Sequence, residues 1–226
     1  MRRHMFRWSP ARIIAGAFGS ISFIGSILLY LPWGHMPGQS ITYVDALYTA
    51  VSALCVTGLS IVDTAAVFNP FGQAILAVLI QVGGLGVSTM GAGVLLMLGR
   101  KVGIRQRNLI HDTMNLDSYS GVVRFLRTLF ATTVFIEIIG AFLGYFVFRR
   151  DYEMMESIGL SIFHSISSFN NAGLTILTKE RSMEMYAEDP FMLILTTALV
   201  FVGGLGFIVI RECWVCLLYT SDAADE

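Results

Sequence analysis

Ser52-Ala53-Leu54-Cys55-Val56-Thr57-Gly58-Leu59 closes an apolar stretch of about 45–56, and Ser167-Ser168-Phe169-Asn170-Asn171-Ala172-Gly173-Leu174 closes another of about 157–169. Superposing Gly58 on Gly173 pairs Ser52 with Ser167, Leu59 with Leu174 and Ile61 with Ile176, and sets Tyr48 against Phe163. The two stretches read as copies. Further on, Gln81-Val82-Gly83-Gly84-Leu85-Gly86 matches Phe201-Val202-Gly203-Gly204-Leu205-Gly206 after a slip of five residues, which falls in a loop. A repeat of this size is itself a statement about architecture.

Each short stretch is flanked by two long ones that are nearly free of charge: about 12–31 and 72–98 around the first, about 126–148 and 190–211 around the second. The long stretches are sufficient to cross a hydrocarbon core of about 30 Å as helices. The short ones are not, and a half-span at membrane depth is a re-entrant segment whose irregular continuation must be buried in protein or line water. The expected fold class is therefore an all-α integral membrane protein with two tandem helix–pore loop–helix repeats. Its parts are an N-terminal segment (1–11), a first unit (12–98), a basic link (99–125), a second unit (126–211) and a tail (212–226). Composition agrees, since 55% of the 226 residues are hydrophobic and 14% charged, with mean hydropathy +0.68, too apolar for a soluble domain. Arg2, Arg3 and Arg7 precede Ile13–Leu31 as they would in a signal peptide, but no small-residue cleavage site follows, so a retained first helix is expected.

The charges give an orientation. Arg2, Arg3, Arg7 and Arg12 precede the first span, and Arg100, Lys101, Arg105, Arg107, Arg124 and Arg127 lie between the second and third, which places both regions in the cytoplasm. The opposite loops hold Arg149, Arg150, Lys179 and Arg181 against nine acids, a net of -5. Such a surface raises local cation concentration and is equally what a solvated outer face looks like.

The chemistry sits where each half-span stops. A dehydrated monovalent cation needs weak oxygen dipoles in place of its water, and backbone carbonyls supply them without a fixed charge that would bind too tightly. Glycine permits backbone angles that turn carbonyls inward, and the C-terminal end of a short helix adds partial negative charge. A single Thr-Gly-Leu or Ala-Gly-Leu is equally a helix C-cap; two in register within duplicated half-spans are much less common by chance. Glu137 is the one acid of the third span and a candidate intramembrane functional acid, with a hydrogen bond to a neighbouring helix as the alternative. His164 reads as packed among helices. Asn170 and Asn171 either brace the segment or cap the half-span. The Gly-Gly-Leu-Gly segments lie mid-span with no preceding strand, which favours close helix packing over phosphate binding. Cys213-x-x-Cys216 has no second pair and reads as two incidental thiols.

The residues Ser52 to Leu59, Ser167 to Leu174 and the two Val-Gly-Gly-Leu-Gly segments resemble the first two units of the Trk/Ktr/HKT potassium transporter superfamily, and the basic link around Asn108–Arg127 is most similar to its KtrB type. The resemblance covers about residues 10–211. It implies half of a four-repeat, potassium-channel-like pore in a bacterial-type plasma membrane, with Val56, Thr57, Gly58 and Leu59 as one selectivity-filter segment and Asn171, Ala172, Gly173 and Leu174 as the next. It also implies potassium as the substrate, sodium stimulation in many members, no tightly bound cofactor, a homodimer, and KtrA-like cytosolic nucleotide-binding regulatory subunits. Membrane lipid is the other expected partner, and nucleic acid is not. Two of the four units are present, and the chain after Arg211 does not continue the pattern, so a truncated frame with a foreign tail is expected. Two rivals stand beside a transporter: a non-conducting structural or assembly fragment, and a membrane-embedded hydrolase built on His164 with Ser165, Ser167 and Ser168, which lacks a partner acid in its unit.

Overall fold

The computed structural model describes residues 10–87, 89–91, 122–178, 183–206 and 209, and the described residues are helical, apart from connecting segments and one isolated bridge between His35 and Phe68. Residues 1–9, the link over 92–121, the loop positions 179–182 and the tail with Cys213 and Cys216 lie outside them.

Helix α1 (Pro10–Tyr30) has 21 residues and so spans about 32 Å. After a 3-10 turn at Pro32–Gly34, α2 (Tyr43–Leu54) is started by a capping box. The Thr42 hydroxyl accepts from the Asp45 N–H at 3.2 Å, and the Asp45 carboxylate accepts from the Thr42 N–H at 3.1 Å. Its 12 residues reach about 18 Å, well short of a bilayer core. Ala46, Ala50 and Ala53 fall on one face at helical spacing and are wholly buried, which lets the neighbouring helices come close. A short α3 (Thr64–Val67) precedes α4 (Pro70–Gly84).

The second half repeats this order. Helix α5 (Val122–Phe148) has 27 residues, about 40 Å; α6 (Met154–Phe169) is the counterpart of α2; a 3-10 turn at Met183–Tyr186 leads to α7 (Pro190–Gly204). Helices α4 and α7 start alike. Asn69 accepts from the N–H groups of Phe71 (3.0 Å) and Gly72 (3.1 Å), and Asp189 from those of Phe191 (2.9 Å) and Met192 (3.1 Å), each followed by proline at the first helical position.

One expectation is corrected. The stretches 72–98 and 190–211 do not form unbroken helices: α4 stops at Gly84 and α7 at Gly204, and Gly86 and Gly206 follow with φ of +82° and +80°. Left-handed backbone ends a right-handed helix. At 15 residues each, α4 and α7 cover about 22 Å, less than a hydrocarbon core. In the first half the chain turns helical again at 87 and 89–91.

Helix α1 packs on α2, α2 on α4, α5 on α6 and α6 on α7, while α4 against α6 forms the seam between halves. The shared core includes Leu29, Phe68, Ile80, Phe148, Phe163 and Met192. Outward faces are also apolar: Ile138 and Phe142 are 62% exposed and Ile194 70%. A surface of this kind suits lipid rather than water.

Candidate functional site

Both short helices end in the same hydrogen-bonded turn. At the end of α2, the Thr57 N–H donates to the Ser52 carbonyl (3.0 Å) and the Val56 N–H to that of Ala53 (3.3 Å). At the end of α6, the Ala172 N–H donates to Ser167 (2.8 Å) and the Asn171 N–H to Ser168 (3.1 Å). These are paired Schellman bonds, in which the residue after the C-cap takes positive φ. That residue is Val56 (φ 56°) in the first half and Asn171 (φ 59°) in the second. The bland reading of a helix cap therefore holds for these positions but leaves the glycines unexplained. Gly58 (φ 73°) and Gly173 (φ 69°) lie two residues beyond, past the end of the cap.

Over Val56-Thr57-Gly58 φ is positive at the first and third residues but not at the second, and the same pattern recurs over Asn171-Ala172-Gly173. A β-branched residue such as Val56 at positive φ is strained, so the surrounding structure must hold it. Part of that hold comes from Ser52 and Ser167, which the sequence marks as a repeat match but not as functional. The Ser52 hydroxyl donates to the Leu59 carbonyl at 2.5 Å, and the Ser167 hydroxyl to the Leu174 carbonyl at 2.6 Å. Each serine thus ties the start of its segment to the end. Among the described residues, the carbonyls of Val56, Thr57, Gly58, Asn171, Ala172 and Gly173 accept no hydrogen bond.

The two segments meet. A Cβ built on Gly58 would lie 2.5 Å from the Ala172 carbonyl oxygen and 3.4 Å from the Gly173 Cα, so any side chain there would push the segments apart. Thr64, at the start of α3, donates its hydroxyl to the Thr175 carbonyl and ties the chain after the first segment to the chain after the second. The segments differ in cover: Ala172 and Leu174 are buried, whereas Thr57 is exposed and Leu59 is 59% exposed.

Behind the segments, glycines admit backbone and side-chain groups that any larger residue would exclude. A Cβ on Gly83 would collide with the Leu54 carbonyl, and one on Gly203 with that of Phe169, so each Gly-Gly pair receives the end of its own short helix. Close packing, as expected from the sequence, is what these glycines do. Gly84 leaves room for Asn170. The Asn170 amide donates to the side-chain oxygens of Gln81 (2.8 Å) and Glu137 (3.3 Å) and to the Ile166 carbonyl (2.9 Å), so it both caps α6 and braces the segment. With its amide oriented to satisfy both neighbours, Asn171 donates to the Val200 carbonyl and accepts from the Gly204 N–H, each at 3.3 Å.

Glu137 therefore accepts a hydrogen bond across helices, from the Asn170 amide that also reaches Gln81. His164 is packed, its ring edge-on to Phe148 and its Nε2 3.0 Å from the Thr196 hydroxyl. The Ser165 hydroxyl is engaged by the Glu137 carbonyl at 2.8 Å. At the start of α7, the Met192 N–H foremost, with Arg150 and the Phe191 N–H, holds the Asp189 carboxyl below its ordinary range, and Asp189 pairs with Arg150 at 2.5 Å. Among the described residues, no three His, Cys, Asp or Glu side chains cluster as metal ligands. The oxygens on offer at the segments are those of the backbone.

Comparison with known proteins adds to this geometry. Residues 10–220 match the TrkH family, described as cation transport protein. The chain is 35% identical over 206 residues to the Ktr system potassium uptake protein B of Bacillus subtilis, covering 91% of this chain and 45% of that protein. It is 36% identical over 216 residues to the protein of the same name from Vibrio alginolyticus, covering 94% and 46%. It is also 35% identical over 206 residues to the potassium/sodium uptake protein NtpJ of Enterococcus hirae, covering 91% and 45%. The chain thus spans a little under half the length of these curated relatives. With apolar helices, duplicated turns and a match over most of its length, the chain belongs to the TrkH family of cation transport proteins.

Proposed function

We propose that the chain forms two helix–pore loop–helix units of a potassium uptake pathway, lined by the carbonyls of Val56, Thr57, Gly58 and Leu59 and of Asn171, Ala172, Gly173 and Leu174. The observation that carries the proposal is the duplicated positive φ at the helix cap and again at the glycine two residues on, with six unengaged carbonyls where the segments meet. Free carbonyls held at the C-terminal ends of two short helices favour a partly dehydrated cation. Glu137 serves this pathway from behind the segments.

The relatives are named as potassium uptake proteins, one of them as potassium/sodium, which supports potassium as the transported ion and a sodium effect on uptake. The same likeness supports a membrane subunit that works as a homodimer with KtrA-like nucleotide-binding cytosolic subunits, its N-terminus in the cytoplasm. The test is growth and potassium uptake in a potassium-uptake-deficient bacterium expressing the chain as the cell makes it. Gly58→Asp and Gly173→Asp are expected to abolish rescue, since each adds a strained, charged side chain among the carbonyls. Rescue that survived both substitutions would sink the assignment.

A further inference from the structure

The C-terminal turn of α4 lies between the ends of both short helices. Gly83 receives the Leu54 carbonyl at the end of α2, and Gly84 receives the Asn170 side chain at the end of α6. Adjacent glycines therefore set the spacing of the two segments. The contact at Gly83 has a counterpart in the second half, at Gly203 against Phe169. The contact at Gly84 has none: the residues matching Asn170 and Gln81 are Cys55 and Phe201, both exposed, and a methyl group on Gly204 would meet only the Asn171 amide of its own half, at 3.8 Å. The cap and the positive φ at Val56 and Gly58 form in the first half without any such polar contact. What the contact adds is a link between halves.

That link has three members on three helices. The Asn170 amide bridges the Gln81 oxygen on α4 and the Glu137 carboxylate on α5. Asn170 is the residue before Asn171, where the second segment begins, so any shift of its side chain moves the first carbonyls of that segment. Polar groups bonded inside the membrane are held there because their release into hydrocarbon is costly. Building on the pathway proposed above, we infer that Glu137 is a positioning residue: through Asn170 and Gln81 it locks Asn171–Leu174 in register with Val56–Leu59, and so sets ion preference without touching the ion.

The test uses the chain as the cell makes it, in the uptake-deficient bacterium, and reads the rubidium concentration that halves potassium uptake at fixed sodium, alongside the amount of protein in the membrane. Glu137→Ala and Asn170→Ala are each expected to lower that concentration about tenfold at near wild-type abundance, a shift of about 1.4 kcal/mol in relative preference. The double exchange Glu137→Gln with Asn170→Asp keeps one carboxylate and one amide across the contact, and Gln81 can turn its amide to suit. It is expected to bring the value back to within about threefold of wild type, the residue reflecting the lost bond to Ile166. Where an alanine variant fails to reach the membrane, Glu137→Gln alone is read instead, with a shift of about threefold expected. Unchanged preference in the variants that reach the membrane would overturn the inference, and so would an exchange that restores nothing. Uptake surviving Gly58→Asp would refute the pathway itself; uptake lost in Gly58→Asp with preference unchanged in the Glu137 and Asn170 variants would refute the link alone.

Discussion

Gly58 and Gly173 occupy matching positions with the same backbone hand, yet their surroundings differ. A methyl group on Gly58 meets the Ala172 carbonyl, while the closest atom to one on Gly173 is the Gly58 Cα at 3.8 Å. Both substitutions carry the cost of left-handed backbone, about 1–2 kcal/mol; only Gly58→Ala adds a collision with backbone. Gly58→Ala is therefore expected to reduce potassium uptake by about tenfold more than Gly173→Ala does. Equal losses would show that the segments do not meet as described. That these two positions take a backbone suited to glycine was legible in the sequence because the repeat puts them in register. The residue that takes the cap's positive φ was not, since valine seldom adopts that conformation and Val56 does so only under its neighbours' constraint. Ser52 and Ser167 were visible as a matched pair, but their bonds to Leu59 and Leu174 depend on how the chain returns after the glycine.

Among the elements, the short helices and their flanking spans follow from apolar length, and the structure places α2 and α6 close to the stretches read from it. The ends of α4 and α7 do not follow. Hydropathy runs on unbroken through Leu85 and Leu205, and only the left-handed turn at Gly86 and Gly206 stops each helix. The matched starts Asn69-Pro70-Phe71 and Asp189-Pro190-Phe191 carry the duplication further than the glycine motifs alone. Gly83→Ala and Gly203→Ala force a side chain onto the carbonyl that ends a short helix, and each is expected to destabilise the protein by about 3 kcal/mol. Gly159→Ala, within α6 and with nothing inside 4 Å of the added methyl, is expected to stabilise by about 0.5–1 kcal/mol. Thermal melting of the purified protein in detergent orders the three; a neutral Gly83→Ala would contradict the packing of α2 on α4.

For the molecule as a whole, charge and geometry bear on one arrangement. Arg124 and Arg127 stand at the start of α5, whereas Arg149, Asp151 and Glu153 follow its end about 40 Å along the axis. With the native cysteines replaced by serine, a cysteine at Glu153 or Glu184 is expected to react with a membrane-impermeant maleimide added outside intact cells. One at Arg127 is expected to react only after permeabilisation. The reverse pattern would invert the molecule. The seam between halves was the least legible feature, because Gln81, Glu137 and Asn170 lie far apart in the chain and share no motif.

The central claim is that a cation rests among the carbonyls of Val56–Gly58 and Asn171–Gly173. Anomalous diffraction from crystals of the chain as the cell makes it, grown with thallium in place of potassium, tests this most directly. The account predicts a thallium peak about 3 Å from carbonyl oxygens of both segments, lost in Gly58→Asp. Thallium bound elsewhere in the membrane region, with none between Gly58 and Gly173, would contradict it.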